Sequence, residues 1–293
     1  MPIHEPREPS YNVEPKMEKE TCRKCGADYE ARVFYLFGHR YCRGVCPACS
    51  EKLVADERMQ QEADRQAAIA EQRRRWRLAS GIPDRYQSED LTTFDTGQPG
   101  NVADVHRRCS EYAEGFPVTY DEYVRRTGKA YPSLVLFSAG VWGLGKTHLA
   151  CSIAHRVLDR WQGEPIACPV KVVSEPRLYA SLQATYNYTP EQRLQLPGAQ
   201  AIMNSLFAVR LLIIDDVGKE PRQDMDFVRR TLFAIVDARY NQLRPVVITT
   251  NRDHAELKHY LGGNSDEATL DRLIEMCQGR FIRVTGKSYR RRE

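Results

Sequence analysis

The stretch Leu134-Val-Leu-Phe-Ser-Ala-Gly-Val-Trp-Gly-Leu-Gly-Lys-Thr-His-Leu149 decides how the chain is read. Its first four residues form an apolar run suited to a buried strand. A glycine-rich turn follows, and from Lys146 to Trp161 apolar residues recur at helical spacing, with Leu149, Ile153, Val157 and Leu158 on one face. Within the turn, Gly140-Val141-Trp142-Gly143-Leu144-Gly145-Lys146-Thr147 fits the phosphate-loop pattern GxxxxGK[ST]. Glycines let successive backbone N–H groups point inward around phosphate oxygens, and the helix N-terminus adds partial positive charge. Lys146 reaches the β- and γ-phosphates, the Thr147 hydroxyl is placed to ligate Mg²⁺, and His148 follows at the helix start. An ordinary glycine turn would explain neither the Lys-Thr pair nor both flanking elements. The reading is a nucleotide site with Mg²⁺.

Working outward, strand-like and helix-like segments alternate. Pro169-Val-Lys-Val-Val-Ser174 reads as a strand, then a helix over 175–186, a Gln- and Pro-rich loop over 188–198, and a helix over 199–207. The apolar run 209–216 ends in Asp215-Asp216. A long amphipathic helix over 224–242 precedes the strand 245–251, which ends in Thr-Thr-Asn251. Helices near 254–261 and 266–276 and a last strand over 280–285 close the chain. Alternation of this kind gives an α/β fold with a parallel sheet covered on both faces. Ligands bind such sheets at the carboxyl ends of the strands, so residues 140–147, 215–216 and 251 are expected to converge. Four aliphatic residues before Asp-Asp fit a Walker B strand: Asp215 holds Mg²⁺ and Asp216 orients the attacking water. Asn251 can sense the γ-phosphate, although Asn also ends strands for turn reasons. Arg272, in Leu270-Asp-Arg-Leu273, has two readings: a finger acting across a subunit interface, or a surface salt bridge. The helix alone favours the salt bridge.

Upstream, Cys22-Arg-Lys-Cys25 and Cys46-Pro-Ala-Cys49 are two CxxC pairs separated by twenty residues. Four thiolates at that spacing suit a zinc ribbon with a tetrahedral S₄ site. Cys42 and His39 are further possible ligands. So short a segment needs its metal, whose binding supplies about 10–16 kcal/mol in zinc-finger peptides. The expected organisation is a disordered arm over 1–18, a zinc-binding module over 19–50 with a short hairpin between the cysteine pairs, and a linker helix over 51–80. The nucleotide domain covers 81–293, opening with a helix over 101–126 that breaks near Gly115-Phe-Pro117. Within the linker, the run Arg73-Arg-Arg-Trp-Arg77 reads as part of a solvated helix.

At 293 residues, 42% hydrophobic and 28% charged, the chain suits one large α/β domain plus a small module. It lacks the roughly 18 consecutive apolar residues of a membrane span and a signal-peptide core, which makes the cytoplasm the expected location. The net charge of +4 is mild, but six Arg or Lys against one Glu fall within 279–293. Five of the nine cysteines lie between Cys22 and Cys49, which in a reducing compartment argues for metal rather than disulfides.

Taken in order, Ile82-Pro-Asp-Arg-Tyr86 with Phe94-Asp, Gly140–Thr147, Leu211-Leu-Ile-Ile-Asp-Asp-Val-Gly218, Ile248-Thr-Thr-Asn251, Leu270-Asp-Arg-Leu273 and Gly286-Lys-Ser-Tyr-Arg290 resemble the AAA+ family of DnaC/DnaI helicase loaders and the similar IstB-like ATPases. The resemblance covers about 80–293. It implies a P-loop AAA+ ATPase core, with Asn251 as the sensor-1 residue and Arg272 as an arginine finger, a group that contributes about 10³–10⁵ in rate elsewhere. It further implies an ATP-dependent homo-oligomer on single-stranded DNA, whose N-terminal module contacts a replicative DNA helicase. Lys171, Arg177, Tyr179 and Tyr186 fall where such loaders touch the strand. Asp216 stands where most AAA+ enzymes carry Glu, which implies slow hydrolysis raised by DNA or a partner. The C-terminal lid is expected to be absent or vestigial, leaving Arg290 as a possible stand-in for a lid arginine. The rival functions are an IstB-like transposition regulator that recruits a transposase and, from another class, a small-molecule kinase.

Overall fold

The computed structural model describes residues 14–163, 167–219, 224–262 and 267–290. Two compact units meet between Ala70 and Glu71.

The first unit holds a three-stranded antiparallel sheet, β1 (Lys16–Thr21), β2 (Asp28–Leu36) and β3 (His39–Tyr41), in that order. The hairpin between the cysteine pairs is present, with Phe34 opposite Tyr41 and Leu36 opposite His39. A third strand joins it: β1 begins at Lys16, within the stretch expected to be an arm, and pairs with β2 from Lys16 opposite Val33 to Thr21 opposite Asp28. Residues 1–13 of that expected arm lie outside the described residues. Lys-Met-Glu-Lys-Glu-Thr lacks apolar alternation; its strand comes from pairing with β2, whose Ala31 and Val33 are buried. Helix α1 (Pro47–Ala79) starts inside the second CxxC pair, four residues before the expected linker. Proline suits that first turn because its missing N–H would have no partner there anyway.

In the second unit, the final turn of α1 is a core element rather than a solvated one. Trp76 is buried with Ile82 and Val172. Arg74 and Arg75 stay exposed and pair with Glu71. A short 3-10 turn (Asp84–Tyr86) follows, then α2 (Val102–Gly115) and α3 (Tyr120–Thr127), separated at the expected break. The remaining elements are β4 (Leu134–Phe137), α4 (Lys146–Arg160), β5 (Val170–Ser174), α5 (Glu175–Ala184), α6 (Pro190–Gln195), α7 (Ala199–Ala208), β6 (Leu211–Val217), α8 (Met225–Asn241), β7 (Val246–Thr250), α9 (His254–Gly262), α10 (Ala268–Cys277) and β8 (Phe281–Arg283). The expected loop over 188–198 holds α6, started by a capping box in which Thr189 and Gln192 exchange hydrogen bonds.

The sheet is parallel throughout, in the order β5-β6-β7-β4-β8. Connections leaving the adjacent strands β4 and β7 run to opposite edges, which opens a crevice above their carboxyl ends. One apolar cluster packs α2 and α4 on one face, and a second packs α5, α8, α9 and α10 on the other. At the amino ends of β6 and β7 Arg239 is fully buried. Its guanidinium donates to the carbonyls of Leu206, Val209, Arg210 and Pro245, satisfying the end of α7 and the turns around it.

Candidate functional site

The phosphate loop needs its glycines. Gly140, Gly143 and Gly145 have φ of 66°, 79° and 80°, a region that favours glycine. A Cβ on Gly145 would also come within 2.5 Å of the Phe94 ring, and one on Gly143 within 2.3 Å of Ser288 Oγ. Thus the loop is wedged between residues 94 and 288 as well as turned. Tyr289 N–H donates to Gly143 O at 2.9 Å, so the chain's last described turn straps the loop from outside.

Lys146 is 6% exposed, and its ammonium donates to Ser138 Oγ at 2.6 Å and to Asn251 Oδ1 at 2.7 Å. Burial lowers it to about 8, against the pull of Asp216 and Asp215. The two strand ends expected to converge therefore share a hydrogen bond.

Asp215 and Asp216 sit on a bulge. Ile214 pairs with Ile248 and Val217 with Thr250, so two carboxylate residues oppose the single Thr249. Asp216 takes φ of 59° there, which turns the pair to different neighbours. Asp215, 8% exposed, accepts from Thr249 Oγ1 at 2.6 Å and from Thr147 Oγ1 at 2.9 Å. Its carboxyl is raised by burial, opposed by the Thr249 hydrogen bond. The Thr147–Asp215 separation fits the oxygen–oxygen edge of an octahedron with metal–oxygen bonds of about 2.1 Å, near 3 Å, so this pair suits Mg²⁺. Asp216 instead pairs with Lys219 at 2.8 Å. Thr249 also accepts the Asp216 N–H at 2.9 Å, and Thr250 Oγ1 donates to Val217 O at 2.6 Å, so both threonines before Asn251 stitch the bulge to β7.

A cavity of about 310 Å³ opens above these groups. Its walls carry 142–148, Asp216, Lys219 and Asn251, as expected for the phosphate end. The remaining wall is Arg85, Tyr86, Glu89, Phe94, Tyr289 and Arg290, of which the sequence offered a role only to Arg290, as a stand-in for a lid arginine. Phe94 stacks on His106 with centroids 5.5 Å apart and meets His148 edge-on at 5.1 Å. His148 Nε2 lies 3.1 Å from Asp90 O. The sequence signals for this wall were the resemblance motifs Ile82-Pro-Asp-Arg-Tyr86, Phe94-Asp and Gly286-Lys-Ser-Tyr-Arg290. Arg272 lies outside the lining. It pairs with Asp237 at 3.2 Å and lies over the rings of Phe233 and Tyr240, on the salt-bridge side of its two readings within this protomer.

Of the residues suggested for a DNA strand, Tyr179 is fully buried and its hydroxyl reaches Glu175, which corrects it to a core residue. Tyr186 is 67% exposed and Arg177 is exposed, while Lys171 is half-buried.

The four sulfurs of Cys22, Cys25, Cys46 and Cys49 lie within 4.8 Å of one another. Cys25 and Cys46 are 3.8 Å apart, the edge of a tetrahedron with metal–sulfur bonds of about 2.3 Å. The Cys46 N–H donates to Cys22 Sγ at 3.3 Å and lowers that thiol to about 6, favouring a thiolate. The donor set fits zinc. Cys42 turns instead to Tyr29 and the Gly44 N–H, and His39 is exposed on β3, so neither belongs to the cluster.

Three comparisons bear on this arrangement. Residues 132–293 match the family model of the IstB-like ATP-binding protein. The uncharacterized protein YdaV of Escherichia coli (strain K12) is 25% identical over 227 residues, covering 74% of this chain and 84% of YdaV. The chromosomal replication initiator protein DnaA of Cereibacter sphaeroides (strain ATCC 17029 / ATH 2.4.9) is 31% identical over 173 residues, 57% of this chain but only 31% of DnaA. Among solved structures, DnaI superposes with a TM-score of 0.50 at 21% identity, covering 70% of this chain and 95% of that one, a likeness of fold. The sheet unit shares the fold of DnaI, and with the family model spanning more than half of the sequence, the chain belongs to the IstB-like ATP-binding protein family.

Proposed function

We propose that the protein is a helicase-loader ATPase, which assembles on single-stranded DNA with ATP and delivers a replicative helicase. One observation carries it: one cavity of about 310 Å³ gathers Lys146, Thr147, Asp216 and Asn251 on its wall, yet Arg272 is turned away onto α8. A site with every part but its finger is the arrangement expected of an enzyme completed by a neighbouring copy. Similarity to a chromosomal replication initiator supports a role in replication. The four-cysteine cluster supports a zinc-held module at 19–50 as the helicase contact, joined by the helix over 51–80 to the ATPase domain at 81–293. Arg177, Lys171 and Tyr186 remain the residues offered to the strand. No helix among the described residues is long and apolar enough to cross a membrane, which agrees with a cytoplasmic protein.

In this reading Lys146 holds β- and γ-phosphate oxygens, giving up Ser138 and Asn251. Thr147 and Asp215 hold Mg²⁺, which supplies charge neutralisation of the phosphates. Residues 140–148 line the phosphates with backbone N–H groups. Asn251 positions the attacking water, and Asp216 accepts its proton. Asp216 must first leave Lys219, and its carboxylate is one methylene shorter than Glu; both features agree with slow turnover.

The family model itself favours a second reading, a transposition regulator that recruits a transposase. Capture of a purified replicative helicase by the full-length protein separates the two. Capture that is lost on substituting Cys22 and Cys25 by Ser is expected; no capture with or without zinc would sink the loader reading. ATP turnover stimulated by a metabolite and indifferent to single-stranded DNA would instead favour a small-molecule kinase.

A further inference from the structure

The amino ends of the strands carry a second cavity, about 360 Å³, away from the phosphate loop. It lies where β4 begins at Leu134 and where Arg280 leads into β8, with Arg108 and Tyr112 contributed by α2. β4 separates it from the loop by its whole length, about 13 Å for four residues.

Three groups there lack partners. The Tyr112 hydroxyl is buried without a hydrogen bond, in a residue 3% exposed. Tyr131 does not relieve it, because the Tyr131 hydroxyl donates to Tyr112 O at 2.8 Å. Buried polar groups left in this state are uncommon in folded proteins and mark places where a ligand or water belongs. Among the described residues, neither Arg108 nor Arg280 has an ion pair or a side-chain hydrogen bond. Glu111 is the carboxylate on the rim, and Arg107 already binds it at 2.7 Å. Arg108 and Arg280 therefore leave uncancelled positive charge on the wall of a cavity that Tyr112 also lines.

We propose that this cavity is an anion site that takes a phosphate group, held by the Arg108 and Arg280 guanidiniums and the Tyr112 hydroxyl. Planar guanidinium forks match phosphate oxygens in pairs, and the phenol supplies a further donor. The phosphate can come from a free small molecule or from a nucleic-acid backbone.

To test it, the full-length protein is saturated with Mg²⁺ and a non-hydrolysable ATP analogue, so that the phosphate loop is filled. Inorganic phosphate and, separately, a short oligothymidylate without terminal phosphates are titrated in and followed by calorimetry. At least one probe should bind, and Arg108→Gln with Arg280→Gln should weaken it by about tenfold or more while affinity for the ATP analogue is unchanged. Binding of phosphate alone assigns a free ligand; binding of the oligonucleotide that falls in the variant assigns the backbone. If the double variant does not fold, Tyr112→Phe, which keeps the ring, should still weaken binding measurably. The proposal is overturned if neither probe binds, or if the variants bind both as the wild type does.

Discussion

The two compact units are built on opposite physical principles. Among its described residues the cysteine unit buries only Cys22, Ala31, Val33 and Cys46 as apolar side chains, and two of these four are candidate metal ligands. The nucleotide unit buries two full clusters on the faces of its sheet. Where burial cannot close a fold, thiolates around a cation can; where burial is ample, polar groups can be held in strained positions such as the Asp216 bulge. If the four cysteines hold zinc, the first unit depends on its ligand for shape, whereas the second has an apolar core of its own.

That contrast can be broken by removing metal. Chelation of zinc, or Cys22→Ser with Cys25→Ser, should unfold the cysteine unit, because structural zinc contributes about 10–16 kcal/mol in small modules. Hydrogen exchange should show amides of 16–50 losing protection while those of β4, β6 and β7 keep theirs. Protection retained in both units after chelation would end the comparison.

On the nucleotide side, Lys146→Ala should weaken ATP binding about a hundredfold or more, since a buried charge that meets phosphate is lost. Melting of the sheet unit should hardly change, because the ammonium is held at a cost of desolvation. Arg239→Met should do the reverse. It leaves buried carbonyls at 206, 209, 210 and 245 without their donor, and each such acceptor costs about 1–3 kcal/mol. Denaturant unfolding should show a loss of about 3 kcal/mol or more.

A smaller effect comes from pH. Lys146 is lowered to about 8 without nucleotide, and phosphate oxygens would raise it again. Binding above pH 8 must then take up a proton, so ATP affinity should fall by up to about tenfold per pH unit beyond that point. The sign for folding is opposite. The unfolded lysine titrates near its ordinary 10.5, so between 8 and 10.5 the unfolded chain holds more protons and stability rises with pH. Calorimetry in buffers of different ionisation enthalpy measures the uptake directly.

What was legible in the sequence was what local spacing carries. Gly140–Thr147, the Asp215-Asp216 strand end and Asn251 announce themselves by residue type at fixed offsets, and the sheet does bring them together. The four cysteines were legible for the same reason, whereas the exclusion of Cys42 and His39 required the path of the hairpin. Contacts between distant segments were not legible. Nothing local says that Phe94 will press on Gly145, that Tyr289 will bond Gly143, or that Arg239 will close the end of α7. Strand β1 was missed because a charged sextet becomes a strand only when β2 is beside it, and Trp76 was taken for a linker residue because the core it enters is formed by later elements.

The central claim is that one chain carries an ATP site lacking only a cation from a neighbour. Mixing two inactive variants tests it most directly, with ATP turnover as the readout. Arg272→Ala should bind ATP nearly normally and hydrolyse it about 10³-fold more slowly, and Lys146→Ala should neither bind nor hydrolyse. The account predicts that the mixture regains turnover above the sum of its parts, because an intact Arg272 can serve an intact Lys146 across an interface. A mixture no more active than its components, or an Arg272→Ala protein as active as the wild type, would contradict it.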